Sequence, residues 1–238
     1  MSVSPLWEAD HSTQILHPAI MTDELEQSRA NEPALTNGHD VRPEKRHPIL
    51  IIVMGVAGTG KSTLAQALDV RLDLPYIEGD ELHPPANIDK MSAGIPLTDA
   101  DREPWLARLR TTAERMVVQQ EAGAGPTRRP GALVTCSALR RYYRDILRGA
   151  HTVPGHIDSM TPSMLPTYFV YIKGNLELLR ERIAKRTGHY MKPSMLDSQL
   201  ETLESPEGEE NVVVVPLEDT TEEQVRKAIE GLKKLGAL

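Results

Sequence analysis

"VMGVAGTGKST", Val53 to Thr63, is the stretch whose reading decides the fold of this chain. An apolar run breaks into a loop with Gly55, Gly58 and Gly60 and ends in Lys61, Ser62 and Thr63. Glycines allow the backbone to turn with its N–H groups pointing inward, and a helix starting directly afterwards adds partial positive charge. Such a loop can wrap a polyphosphate with donors that need no side chains.

The context supports this reading. Ile49 to Val53 is a continuous aliphatic run of the kind found in a strand covered on both faces. After the loop, Leu64, Ala67, Leu68 and Leu72 fall at helical spacing. Gly55 to Ser62 therefore matches G-x-x-x-x-G-K-[ST] with a strand before it and a helix after it, the setting that distinguishes a P-loop from a glycine-rich turn. The motif assigns Gly55, Val56, Ala57, Gly58, Thr59, Gly60, Lys61, Ser62 and Thr63 to nucleotide binding. Lys61 is expected to reach the β- and γ-phosphates, and the Ser62 hydroxyl to ligate Mg²⁺.

Further along the chain, strands are expected over Leu74–Asp80, Gly131–Ser137, Tyr168–Gly174 and Asn211–Leu217. A helix carrying Trp105, Leu109, Ala113, Met116 and Val117 should follow a turn over Asp99–Pro104, and a periodic segment follows Asn175. The last helix should open at Thr220, with Glu223 completing a capping box. Strands alternating with helices predict an α/β fold, a five-stranded parallel sheet flanked by helices. Residues 1–47 mix Pro, Asn, Ser, His and acids with no apolar period and read as a disordered tail, leaving 48–238 as one folded domain. Glu121–Gly131 and Gly149–Pro166 are rich in Gly, Pro or Ser and read as surface inserts.

Composition narrows the partners. The chain has 238 residues, with 34 acidic against 27 basic side chains and a formal charge of −7. That is the wrong sign for a protein living on nucleic-acid phosphate. A single cysteine excludes an internal disulfide and a multi-cysteine zinc cluster and points to a reducing compartment. No apolar stretch approaches the ~20 residues that span a bilayer. Glu8 and Asp10 with no long apolar segment speak against a leader, so a cytoplasmic location is expected. The oligomeric state stays open, a homodimer included.

Switch GTPases carry D-x-x-G and N-K-x-D segments; neither is present. Motor ATPases end an apolar strand with a magnesium-binding acid, whereas "ALVTC" runs into Ser137. Acids stand instead in "YIEGDELHP", where Glu78 and Asp80 lie two apart. In an extended segment such residues share a side, and this one ends at the sheet edge where α/β proteins bind ligands. One carboxylate can hold the magnesium or its water while the other orients an attacking hydroxyl and accepts its proton. Transfer of a γ-phosphoryl group to an alcohol is the chemistry implied.

Three blocks carry a closer resemblance: "EGDELHPPANIDKMSAGIPLTDADREPWL" (Glu78–Leu106), "CSALRRYYRDILR" (Cys136–Arg148) and the segment Phe169–Glu204. Together they resemble the gluconokinases, shikimate-kinase-like P-loop kinases that phosphorylate D-gluconate to 6-phosphogluconate. The match spans Ile49 to Leu235 apart from the two inserts. The resemblance implies a nucleoside-monophosphate-kinase-like fold with a mobile lid, ATP and Mg²⁺ as cofactors and D-gluconate as substrate. The family's Asp-Gly-Asp segment corresponds to Glu78-Gly79-Asp80, with Glu78 on the metal and Asp80 on the reacting hydroxyl. His83, Arg102, Ser137 and Arg141 are then candidates for substrate contacts, Arg102 for the carboxylate or else for an ion pair with Asp99 or Asp101. Arg140, Arg141 and Arg144 read equally as a solvated helix face. The basic run with Arg180, Arg182, Lys185, Arg186 and His189 resembles the lid, with Arg182 on the nucleotide and Arg186 as the closing cation. The rival readings are a shikimate or polyol kinase of the same fold, and a nucleotide-binding module without catalysis; Lys61, Ser62 and Asp80 together speak against the latter.

Overall fold

The computed structural model describes residues 47–123, 129–155, 165–185 and 193–238, without the side chains of 183–185 and 193–195. The expected tail, the middle of both inserts (124–128 and 156–164) and the lid segment with Arg186 and His189 lie outside the described residues.

Five strands make one parallel sheet: β1 (Ile49–Met54), β2 (Tyr76–Ile77), β3 (Gly131–Cys136), β4 (Thr167–Lys173) and β5 (Val212–Pro216), in the order β2-β3-β1-β4-β5. β1 lies at the centre, Ile51 opposite Leu133 on one side and Tyr168 on the other. All six β1 residues are buried, which accounts for its unbroken aliphatic sequence: a central parallel strand has no solvent face to mark with polar residues. Each such side chain, fully buried, stabilises the fold by about 1.5–3 kcal/mol.

Seven helices surround the sheet among the described residues: α1 (Lys61–Leu72), α2 (Pro85–Ser92), α3 (Asp99–Gly123), α4 (Arg141–Arg148), α5 (Leu176–Lys185), α6 (Pro193–Thr202) and α7 (Thr221–Lys234). The chain runs from β1 outward to β2, returns through β3 and crosses to β4 on the far side of β1. The connections diverge beside β1, and the carboxyl ends of the strands there form the crevice where open α/β sheets take ligands.

Three expectations need correction. α3 starts at Asp99 rather than after Pro104, and holds that proline inside its first two turns. The start is set by a capping box: Thr98 Oγ1 accepts from the Asp101 N–H at 3.3 Å, and the Asp101 carboxylate accepts from the Thr98 N–H at 2.8 Å. β2 is two residues long because the chain turns at Gly79 into a 3₁₀ turn, Gly79–Leu82. The inserts are not wholly superficial: α3 continues through Gly123, and Val153 and Leu165 are buried. Arg110, itself buried, donates to Leu147 O (3.0 Å), Leu165 O (3.3 Å) and Thr167 Oγ1 (2.9 Å), which ties together both ends of the second insert; Glu114 at 2.6 Å balances its charge.

α7 begins as the sequence suggests, with Thr220 Oγ1 accepting from the Glu223 N–H at 3.3 Å. The Glu223 side chain turns instead to Arg226, 2.5 Å away.

Candidate active site

The loop between β1 and α1 is held from beneath by its own residues. Thr59, fully buried, donates to Val56 O at 2.8 Å, and Lys61 Nζ reaches the same carbonyl at 3.2 Å. Gly60 caps α1 with φ +86°, a left-handed conformation that costs a glycine nothing. Gly55 is constrained by space, since a Cβ there would lie 3.0 Å from Thr59 Oγ1 and 3.1 Å from Ile172 O. Gly55, Val56 and Thr59 thus shape the loop, while Ala57, Gly58, Gly60, Lys61, Ser62 and Thr63 line the cleft above it.

The facing wall of that cleft carries Glu78, Asp80, His83, Arg102 and Ser137. Loop and wall residues up to 80 positions apart, Ala57 and Ser137, therefore face one another, and each of these five belongs to the expected set.

Glu78 is the anchor. Its Oε2 accepts from the Ser62 hydroxyl at 2.6 Å and from Tyr76 OH, and its Oε1 from Thr135 Oγ1. Burial opposes its ionisation, but the hydroxyls of Ser62, Thr135 and Tyr76 outweigh it and hold the carboxyl below its ordinary value. Burial and that same carboxylate push the Tyr76 phenol up to about 12. Glu78 is thus a carboxylate at neutral pH, bonded to the hydroxyl that the P-loop assigns to magnesium.

Gly79 explains why Asp80 stands where it does. A Cβ on Gly79 would fall 1.9 Å from Thr135 O, so no other residue fits between β2 and β3. Its N–H donates to Thr135 Oγ1 at 3.0 Å and its carbonyl accepts from Trp105 Nε1 at 2.8 Å. With both polar groups of Gly79 fixed, Asp80 is delivered to the cleft floor. There it is open to the cleft yet crowded by its walls, which raises its carboxyl above the ordinary value; the Lys61 charge opposes this and Glu78 adds to it.

His83 is buried and stacks on Trp105, with ring centroids 4.0 Å apart and 16° between planes. Asn87 Nδ2 donates to Asp101 O at 2.8 Å and lies 3.3 Å from His83 Nδ1. The Asp101 carbonyl can only accept, so the amide nitrogen is correctly placed as a donor and Nδ1 must accept. The imidazole proton of neutral His83 then sits on Nε2. Burial and the nearby Arg102 charge lower its pKa to about 4, so the ring is neutral at pH 7.

Arg102 is buried, donating through Nη1 to Leu97 O at 2.6 Å and to Tyr143 OH at 3.4 Å. It pairs with neither of the acids weighed against it. Asp99 takes Arg140 at 2.9 Å and Tyr143 OH, and Asp101 takes Lys90 at 2.6 Å and Thr98. No described residue accepts from Nε or Nη2, so the planar fork keeps donors for a ligand carboxylate.

Other expected residues stand elsewhere. Arg141 is exposed at the start of α4 and does not line the cleft; its main-chain N–H donates to Glu204 at 2.7 Å. Arg182 donates to Leu217 O at 3.1 Å, away from the cleft lining. Arg186 lies outside the described residues. The solvated-face reading of the three arginines fails for Arg144, which is completely buried and grips Glu209 through Nη2 (2.5 Å) and Nε (3.0 Å). Sequence reasoning missed Tyr76, Thr135, Trp105 and Gln199. Trp105 was legible only as an apolar position of its helix, and Gln199 only as part of the last resembling block.

The cleft can take the groups that the loop implies. Ser62 and Glu78 offer hard oxygen donors side by side. No three His, Cys, Asp or Glu side chains gather as a metal cage among the described residues. Magnesium fits this, since it takes one or two protein oxygens and completes its shell with phosphates and water.

Fold and site together define a P-loop kinase acting on a small molecule. No family model matches the chain. Among proteins of known sequence it is 46% identical over 168 residues to a gluconokinase of Gluconobacter oxydans, covering 71% of this chain and 82% of that one. It is 36% identical to the thermoresistant gluconokinase of Escherichia coli, covering 78% and 94%. The crystal structure of a gluconokinase from Sinorhizobium meliloti superposes with a TM-score of 0.63 at 45% identity, over 80% of this chain and 94% of that one. The chain belongs to the gluconokinase family. An adenylylsulfate (APS) kinase of Mycobacterium tuberculosis, TM-score 0.54 at 18% identity over 79% of this chain and 99% of that one, shares the fold alone. No described helix is long and apolar enough to cross a membrane.

Proposed function

We propose that this protein transfers the γ-phosphoryl group of ATP to the 6-hydroxyl of D-gluconate, releasing ADP and 6-phosphogluconate. The observation that carries the reading is that one cleft is lined both by Lys61 and Ser62 of the phosphate loop and by Asp80, His83 and Arg102 of the opposite wall. The family of its relatives supports the choice of substrate.

Magnesium-ATP, when bound, supplies the phosphoryl group and the cation that offsets its charge. The loop amides from Gly58 to Lys61 hold the phosphates, and Lys61 places its ammonium on them. Ser62 and Glu78 would hold the metal through hydroxyl and carboxylate oxygens. Arg102 takes the gluconate carboxylate in its fork, and His83 donates from Nε2 to a sugar hydroxyl. Ser137, on the same wall, adds a hydroxyl to the substrate contacts. Asp80 accepts the hydrogen bond of the reacting hydroxyl, aligns its oxygen with the terminal phosphorus and takes the proton as the new P–O bond forms. Because phosphoryl transfer passes through a loose transition state, alignment contributes more than early proton removal. The family resemblance gives Arg186 the role of the cation that meets developing charge.

A phosphorylation screen across sugar acids and polyols tests this. ADP formation strictly dependent on gluconate is the expected outcome. A preference for shikimate or a polyol would replace the substrate, and ADP formation indifferent to every acceptor would refute the proposal.

A further inference from the structure

α6 reaches back to the phosphate loop. Gln199 Oε1 accepts from the Ala57 N–H at 2.7 Å, a bond between residues 142 apart in sequence. A main-chain N–H can only donate, so this bond settles the orientation of the carboxamide: the oxygen lies on the loop and Nε2 is turned away from it. No described residue accepts from Nε2, and no buried side-chain nitrogen or oxygen among the described residues lacks a partner. The NH₂ group is therefore solvated, on a side chain that lines the same cleft as Lys61 and Ser62.

The same segment touches the acceptor side. The Glu204 N–H donates to Leu139 O at 2.9 Å, and its carboxylate accepts from the Arg141 N–H at 2.7 Å. Leu139 belongs to the loop that carries Ser137, and Arg141 opens α4 directly after it. Asp197 pairs with Arg180 of α5 at 3.0 Å. α6 and its exit thus bracket the loop that receives the nucleotide and the loop on the substrate wall.

We propose that Gln199 recognises the terminal phosphoryl group of the nucleotide, with Oε1 positioning the Ala57 peptide and Nε2 donating to a phosphoryl oxygen. This rests on the reading of the cleft as an ATP site. Phosphoryl oxygens are acceptors only, and a carboxamide serves them with a donor that does not compete for the metal as a carboxylate would.

The test compares ATP with ADP, which differ by that group. In Gln199→Glu the carboxylate still accepts from Ala57 but offers the phosphoryl a negative charge in place of a donor. Its Kd for ATP should rise at least about tenfold, the scale of one lost charge-assisted hydrogen bond, while that for ADP stays within about twofold. Gln199→Met, uncharged and of similar length, loses the Ala57 bond as well; both nucleotides should weaken, ATP more. An ATP-to-ADP ratio of Kd values equal to wild type in both variants overturns the proposal. Calorimetry of binding without gluconate keeps this separate from the substrate assignment, which wild-type turnover with gluconate reports on its own.

Discussion

Trp105 stacks on His83 at 4.0 Å and in the same pose donates its indole N–H to Gly79 O at 2.8 Å. One side chain of α3 therefore fixes both the turn that delivers Asp80 and the ring that faces the substrate. Trp105→Phe keeps a ring under His83 but leaves the Gly79 carbonyl without its donor, at a cost of about 1–3 kcal/mol in unfolding free energy. Because the lesion lies on the acceptor wall, KM for gluconate should rise severalfold while KM for ATP changes little. Denaturant titration and two-substrate kinetics read the two effects, and an equal rise in both KM values would count against this division of the cleft.

His83 makes stability depend on pH. Its pKa is about 4 in the folded protein against an ordinary 6.5, so between those values the unfolded chain binds more protons than the folded one. Stability contributed by the neutral ring is complete above pH 6.5 and is lost as pH falls toward 4, by up to about 3 kcal/mol. In His83→Gln the slope of unfolding free energy across that window should flatten relative to wild type. Parallel slopes for the two proteins would show that His83 is not held neutral.

The fully buried Arg144 pairs with the partly buried Glu209, which also takes Arg148 at 2.9 Å. Glu209→Ala would strand the fully buried Arg144 charge and destabilise the fold by about 3–5 kcal/mol. Arg144→Met, which removes the charge and fills the space, should cost less. Thermal unfolding of the two variants checks the order, and a milder effect for Glu209→Ala would contradict it.

Gly79→Ala should abolish the acceptor turn, since the methyl would overlap Thr135 O. The backbone must shift, at a cost of about 3 kcal/mol, and gluconate-dependent turnover should fall with it. Retention of both stability and activity would mean that the β2–β3 contact is looser than the geometry described.

How much of this was legible beforehand depended on whether the deciding partner was local. The β1 run and the glycines after it announce themselves within a dozen residues, because burial on both faces and a tight phosphate loop are local demands. Pro104 misled, since a proline near a helix start looks like a turn residue until the Thr98–Asp101 cap is seen. α2 gave little signal because it buries a polar residue, Asn87, and exposes Ile88. Arg144 looked solvated because its counter-charge, Glu209, lies 65 residues away. Thr135 and Gln199 likewise acquire their roles only through partners 57 and 142 residues distant.

The most direct measurement places Asp80 under test in the reaction itself: gluconate-dependent ADP formation and ATP affinity, for wild type and Asp80→Asn, across acid pH. Wild type should convert gluconate with an acid limb whose inflection lies above the ordinary aspartate value of 3.8, because turnover needs the ionised carboxylate and its pKa is raised. Asp80→Asn should bind ATP normally, lose at least about 10²-fold in kcat and lose that limb. A wild-type kcat in Asp80→Asn, or ADP formation that ignores gluconate, would contradict the account.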